Sequence, residues 1–268
     1  LDSQFDSQSS SIWPLAFPQT TFVNSCRFNN DDSDNLSRTP SSTSNRRTFT
    51  FSTWFKLSGT DGSFISAGTD ISNGPLFIID ILSGGNEGIL RVEDSIGGSN
   101  VIGLRTNRLL RDIGAWMHLV VAIDTTQSTA SDRVKVYING VQETSFGTET
   151  YPSQNLELSM NQNHETRIGT RAANTSGKFW DGYMAETILV DGQQLLPTSF
   201  GAFNPVPNIW EPIAYAGTYG TNGFRLDYAD SSALGNDVSG NDNDFTVNNL
   251  TSIDQSTDTC SNNFATWN

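Results

Sequence analysis

Short runs in which apolar and polar side chains alternate recur along the chain, separated by clusters of Gly, Asn, Asp, Ser and Thr. In Phe49-Thr50-Phe51-Ser52-Thr53-Trp54-Phe55-Lys56-Leu57 the period is two, the spacing of a strand with one buried face. Phe49, Phe51, Thr53, Phe55 and Leu57 fall on one side and Trp54 on the other. The run Trp116-Met117-His118-Leu119-Val120-Val121-Ala122-Ile123-Asp124 puts Met117, Leu119, Val121 and Ile123 on a plainly apolar face and Trp116, His118, Val120, Ala122 and Asp124 opposite. Residues 133–141 give another strand, and Asn139-Gly140 within them is a turn signal because both residues tolerate positive φ. These two segments are expected to be neighbours in one sheet.

Further strands are predicted at 63–67, 76–82, 88–93, 100–106, 155–158, 166–169 and 182–190. In the last of these, Tyr183, Ala185, Thr187 and Leu189 alternate with Met184, Glu186, Ile188 and Val190. Pro197, Pro205, Pro207 and Pro212 then break the regular pattern, leaving room for one helical turn at 197–200. Residues 223–228 and 244–247 read as two more strands, which either close the same sheet or start another. At the other end, Pro14 and Pro18 stand among Trp13, Phe17, Phe22 and Val23, so residues 1–24 read as an extended arm or as a lead-in strand.

Many short strands with little helical periodicity predict an all-β fold of two packed antiparallel sheets. The expected division is an N-terminal arm at 1–24, a sandwich at 25–196, a Pro-rich connection at 197–212 and a C-terminal β segment at 213–268. That last segment either completes the sandwich or begins another module. No G-x-G-x-x-G or Walker loop supports nucleotide chemistry, and no solenoid or propeller period is present.

Charge narrows the partners. Asp and Glu number 29 against 15 Lys and Arg, and a net charge of -14 repels a phosphate backbone. No nucleic-acid partner is expected. No run approaches the length needed for a membrane-spanning helix, so no membrane insertion is expected either. The opening Leu1-Asp2-Ser3-Gln4-Phe5-Asp6 lacks the basic start of a secretory signal, and the missing initiator Met reads as a processed or trimmed chain. Cys26 and Cys260 are too few for a disulfide framework and are expected to be free or separately buried thiols.

The segments 115–124 and 134–141, flanked by 49–56, Arg167-Ile168-Gly169 and Phe179-Trp180-Asp181-Gly182-Tyr183-Met184-Ala185-Glu186, resemble the concanavalin A-like sandwich family, especially its laminin G and pentraxin-like branch. The resemblance covers roughly residues 24–196 and implies a jelly-roll sandwich with extended termini. A narrower likeness lies in Leu234-Gly235-Asn236-Asp237-Val238-Ser239-Gly240-Asn241-Asp242-Asn243-Asp244-Phe245. This segment looks like the Asp-x-Ser-Gly-Asn-Gly-Asn segment that often opens such a sandwich, with Asp242 at a usual Gly position, and the longer stretch 220–249 is similar to tails of structural proteins of marine bacteriophages. These resemblances imply adhesion or assembly more readily than catalysis.

Candidate chemistry is sparse. His118, beside Trp116 in a strand, reads as a packed structural histidine, and His164 reads as part of a polar turn. Glu157 and Glu186 are available as a carboxylate pair, but neither belongs to the E-x-D-x-x-E pattern of related glucanases, so no catalytic residue is assigned. Hard cations favour carboxylate and carbonyl oxygens from loops, which makes Asp31 and Asp34, and Asp237 with Asn241, candidate calcium ligands. The family resemblance adds Asp124 and Asp181 at the rim. For glycan binding, which pairs aromatic faces with directed polar groups, the candidates are Trp180, Tyr219 and Arg171.

The expected function is that of a structural virion protein of a bacteriophage, displayed on the particle exterior as a fibre or capsid-associated component. Its expected partners are other virion proteins, further copies of itself and a host-surface glycan, and no cofactor is required. The alternative is a carbohydrate-binding adhesion module assisted by Ca2+. A polysaccharide hydrolase comes third.

Overall fold

The computed structural model describes residues 22–69, 74–172, 178–205 and 208–262, and most of the arm expected at 1–24 lies outside them. The strands in chain order are β1 (Ser25–Phe28), β2 (Asn35–Arg38), β3 (Thr48–Leu57), β4 (Gly62–Gly68), β5 (Leu76–Ile81) and β6 (Ile89–Ile96). Next come β7 (Ser99–Leu109), β8 (Trp116–Asp124), β9 (Val134–Ile138), β10 (Val141–Gln142), β11 (Phe146–Thr150) and β12 (Thr166–Ile168). The last are β13 (Gly182–Asp191), β14 (Gly201–Phe203), β15 (Trp210–Pro212), β16 (Phe224–Leu226), β17 (Thr246–Asn248) and β18 (Gln255–Ser256).

Two antiparallel sheets pack face to face. The first has the order β10-β9-β8-β3-β13-β1-β18, with β16 extending the β1 side of β13. The second runs β11-β7-β6-β5-β4-β12-β2-β17. The alternation in the sequence explains the packing: Phe49, Phe51, Phe55 and Leu57 of β3 and Met117, Leu119, Val121 and Ile123 of β8 enter the core between the sheets. From the second sheet, Phe77, Ile79, Leu90, Val92, Ile102 and Leu104 meet them. The C-terminal stretch joins both sheets, since β16 pairs with β13, β17 with β2 and β18 with β1.

Two expectations differ from the structure. Residues 155–158 form no strand; Asn155 takes a left-handed φ of 62°, and Leu158 enters the core from a loop whose backbone bonds to Arg46. The strict alternation at 182–190 breaks at a bulge, because Ala185 pairs with Trp54 while Ile188 pairs with Ser52. Met184 and Leu189 therefore both face the core, while Ala185, Ile188 and Val190 face outward. The 3-10 turn Pro197–Ser199 does form where the prolines begin.

The outward face of the first sheet is not left to solvent. Phe22, Trp210 and Cys260 cover Trp54, Trp116 and Ala185. Phe200, with Leu195, Tyr215 and Tyr219, covers Val120, Ala122, Tyr137, Ile188 and Val190. Residues after β13, joined by Phe22, thus build a third layer over the sandwich. Among the described residues no helix is long and apolar enough to cross a membrane.

Candidate functional site

The third layer is fastened at His118. Its ring stacks on Trp54 at 4.7 Å between centroids and lies 6.1 Å from the nearly parallel Trp210 ring. Trp210 Nε1 donates to His118 Nδ1 at 3.1 Å, which leaves the imidazole proton on Nε2, 2.9 Å from Ser52 Oγ. Burial holds the His118 pKa down to about 3, so the ring is neutral and serves as a joint. Trp210 also needs Gly140 beneath it, since a Cβ there would lie 2.5 Å from the indole.

Beyond this joint the layer forms an open groove of about 500 Å³ lined by Gly217, Thr218, Tyr219, Gly220, Thr221, Ser239 and Asn241. Several bonds hold its walls. Gln193 Nε2 and Tyr215 Oη each donate to the Thr218 carbonyl at 3.0 Å. The Asn241 side-chain amide donates to the carbonyls of Gly220 at 2.7 Å and Gly223 at 2.9 Å. Gly220 has φ of +76°, and a Cβ there would lie 2.2 Å from the Asp191 carbonyl, so only glycine fits this close crossing. Tyr219 is half-buried with its ring edge-on to Tyr215 at 5.2 Å, and burial pushes its phenol pKa up.

The calcium candidates do not assemble into one cage. Asp237 is saturated: Oδ1 accepts from the backbone N–H of Arg225 and Ser239, and Oδ2 from Ser239 Oγ and the N–H of Asn243, all at 2.8–2.9 Å. Asn241 presents its donors to carbonyls. Asp124 is bonded by Thr126, Gln127 and Thr48; burial works to raise its pKa, but these bonds outweigh it and hold the carboxyl below the usual range. Asp34 accepts the Asn29 N–H at 2.9 Å, and burial raises its pKa. Burial first and the charge of Asp31 second raise the Asp181 pKa. Calcium takes 6–8 oxygens, and among the described residues no group of three or more acidic, His or Cys side chains could hold a metal ion.

The glycan candidates also separate. Trp180 has no exposed surface and packs on Phe64 and Phe55 inside the sandwich, so the expectation that it touches a sugar is corrected by burial. Arg171 donates to the buried Asp80 at 2.7 Å, sharing that carboxylate with Arg91 on the second sheet. Tyr219 alone of the three lines the groove. As for the carboxylates, Glu186 sits at the β13 bulge in a two-point pair with Arg225 at 2.9 Å, while Glu157 lies 2.7 Å from Arg47. Each carboxylate has its own arginine.

A family model described as the concanavalin A-like lectin/glucanases superfamily matches residues 30–192, well over half the chain. The chain belongs to that superfamily. Among solved structures, this concanavalin A-like chain is similar to a Bacteroides ovatus protein described provisionally as carbohydrate-binding, with 15% identity and a TM-score of 0.54. That likeness covers 85% of this chain and 58% of the other, so the chain spans little more than half of that relative. It is also similar to the heptameric SAP-like pentraxin of Limulus polyphemus (16% identity, TM-score 0.45, 65% of this chain and 78% of the other). A third is the LG4-5 pair of mouse laminin alpha1 (12% identity, TM-score 0.45, 77% and 47%). No match is found among curated protein sequences.

The groove of this concanavalin A-like domain lies wholly outside the matched residues. Its wall residues Thr218 and Thr221, and the Asp191 and Gln193 that brace the groove, have no candidate role in the sequence, while Ser239 stands there only between Asp237 and Asn241 in a loosely calcium-like loop. Their signal was weak: small and polar residues in a Gly-rich stretch read as turn chemistry. Tyr219 marks the place for a glycan, and Ser239 with Asn241 for a cation.

Proposed function

We propose that this chain is a structural, non-enzymatic module on the exterior of a bacteriophage particle, held by other virion proteins and binding a host-surface glycan in the Tyr219 groove. The observation that carries the proposal is where residues 220–249 sit. This stretch, which resembles structural proteins of marine bacteriophages, supplies β16, β17 and the Asp237 loop. It pairs into both sheets and forms one wall of the groove with Ser239 and Asn241. The stretch with the phage-like resemblance and the candidate recognition surface fold together, which supports reading them as one unit.

An aromatic ring beside Thr, Ser and Asn side chains suits a sugar, whose C–H face packs on the ring while its hydroxyls find polar partners. The likeness in fold to a protein described as carbohydrate-binding supports the same reading. Copies repeated on a particle would multiply weak individual contacts through effective concentration. The arginine partners of Glu157 and Glu186 favour a structural role for these carboxylates over hydrolysis.

The test has two parts. Protein composition and a side-chain-level map of purified particles are expected to place this chain on the outer surface against other virion proteins. Binding of the full chain to host-envelope glycans is expected to fall at least tenfold in Tyr219→Ala. Glycan binding by a chain absent from particles would favour the second reading, a free adhesion module. Cleavage of the glycan would overturn the non-enzymatic assignment.

A further inference from the structure

We propose that the Tyr219 groove selects uncharged pyranose units and excludes uronic and sialic acids; this rests on the glycan reading above and deepens it. The argument comes from which hydrogens remain available in the wall. Ser239 Oγ donates its proton to Asp237 Oδ2 at 2.8 Å and accepts from the Asn241 backbone N–H at 3.2 Å. The Asn241 amide donates to the Gly220 and Gly223 carbonyls, which fixes its orientation. Both side chains are therefore committed as donors elsewhere and offer a ligand lone pairs, from Ser239 Oγ and Asn241 Oδ1. A sugar hydroxyl can donate to this side of the groove; a carboxylate oxygen, an acceptor only, cannot, and finds donors only in uncharged hydroxyls such as those of Thr218 and Thr221.

Charge points the same way. The groove lining is Gly, Thr, Tyr, Ser and Asn, with no cation. Two buried carboxylates stand directly behind it: Asp237, bonded to Ser239, and Asp191, whose Oδ2 accepts the Asn222 N–H and whose carbonyl crosses Gly220. The nearby cations are taken: Arg225 is held in its two-point pair with Glu186, and Arg38 bonds to Asn243 Oδ1 and the Asn222 carbonyl. An anionic sugar entering here would give up water without gaining a cation, against a chain whose net charge is -14. A neutral ring meets no such opposition.

The experiment titrates the full chain, its Tyr219→Ala variant and a Thr221→Lys variant with two probe sets of matched length. One set is neutral gluco-, manno- and galacto-oligosaccharides; the other is oligouronates and sialyllactose. The expected result is Tyr219-dependent binding of at least one neutral probe, with every acidic probe at least tenfold weaker. Thr221→Lys is expected to gain several-fold for acidic probes at low salt, and to lose that gain as salt rises. Tyr219-dependent binding of an acidic probe as tight as any neutral one overturns the selectivity while leaving the glycan reading intact. Binding of neither set in a Tyr219-dependent way overturns both.

Discussion

Trp210 and His118 hold each other through both ring face and hydrogen bond, with Trp210 Nε1 donating to His118 Nδ1 at 3.1 Å inside a site closed to water. His118 belongs to the central strands of the sandwich, and Trp210 to the layer laid over them. Trp210→Phe keeps most of the packing but leaves Nδ1 buried without a donor, and is expected to cost about 1–3 kcal/mol. Trp210→Ala adds a cavity and is expected to cost about 3–5 kcal/mol. Urea unfolding measures both, and hydrogen exchange should show residues 208–222 opening first in Trp210→Phe.

Asp94 gives a pH signature. Burial raises its pKa to about 6, against the bonds it accepts from Ser159 and the field of Arg46. A carboxyl whose folded pKa exceeds its unfolded value of about 3.9 contributes its full stability below the unfolded value and loses it as pH rises through the folded one. The protein is thus expected to become more stable as pH falls from 7 towards 5, and Asp94→Asn should remove about 1 kcal/mol of that dependence over this window, the full effect of about 2–3 kcal/mol being reached only below the unfolded value. Asp34, Asp181 and Glu186, also raised mainly by burial, act in the same sense. Melting temperature against pH for the two proteins decides the matter; equal slopes would refute the role given to Asp94.

Glu186 and Arg225 form a largely buried pair, with 6% and 25% of their side chains exposed. Arg225→Met leaves the carboxylate without its partner and is expected to cost about 3–5 kcal/mol. Adding Glu186→Gln should return part of that loss, since the buried charge is then gone. A double-mutant cycle by chemical denaturation gives the coupling directly.

Calcium provides a contrasting prediction. The carboxylates of Asp124, Asp237 and Asp34 already accept hydrogen bonds from their own loops, which leaves Asp31 and Asp181 as two ligands where a cage needs several more. Melting in EDTA and in millimolar Ca2+ is expected to coincide. A rise of several degrees in Ca2+ that disappears in Asp181→Asn would contradict this.

The sandwich was legible because period-two alternation carries directly into which side chains enter the core, as β3 and β8 show residue by residue. The alternation failed at Glu186, whose φ of 48° belongs to a bulge that flips the rest of β13. Nothing in the local composition announces that reversal. Trp180 misled for a related reason: an aromatic beside Asp181 looks like a rim residue, yet the chain turns it inward on Phe64. The groove stayed hidden because Thr218, Thr221 and Ser239 acquire their surroundings only when the stretch after β13 folds back over the sheet.

At the seam where β1 meets β18 and β2 meets β17, opposite ends of the described chain lie side by side, and the Phe22 N–H bonds to Ser261 Oγ at 2.8 Å. Such far-separated partners make ring closure a late and slow event in folding. Until β17 and β18 arrive, the edges at β1 and β2 stand open to foreign strands. A nascent chain of this kind is therefore exposed to aggregation for as long as β17 and β18 have not emerged, and a late segment is the clasp that shuts an early one.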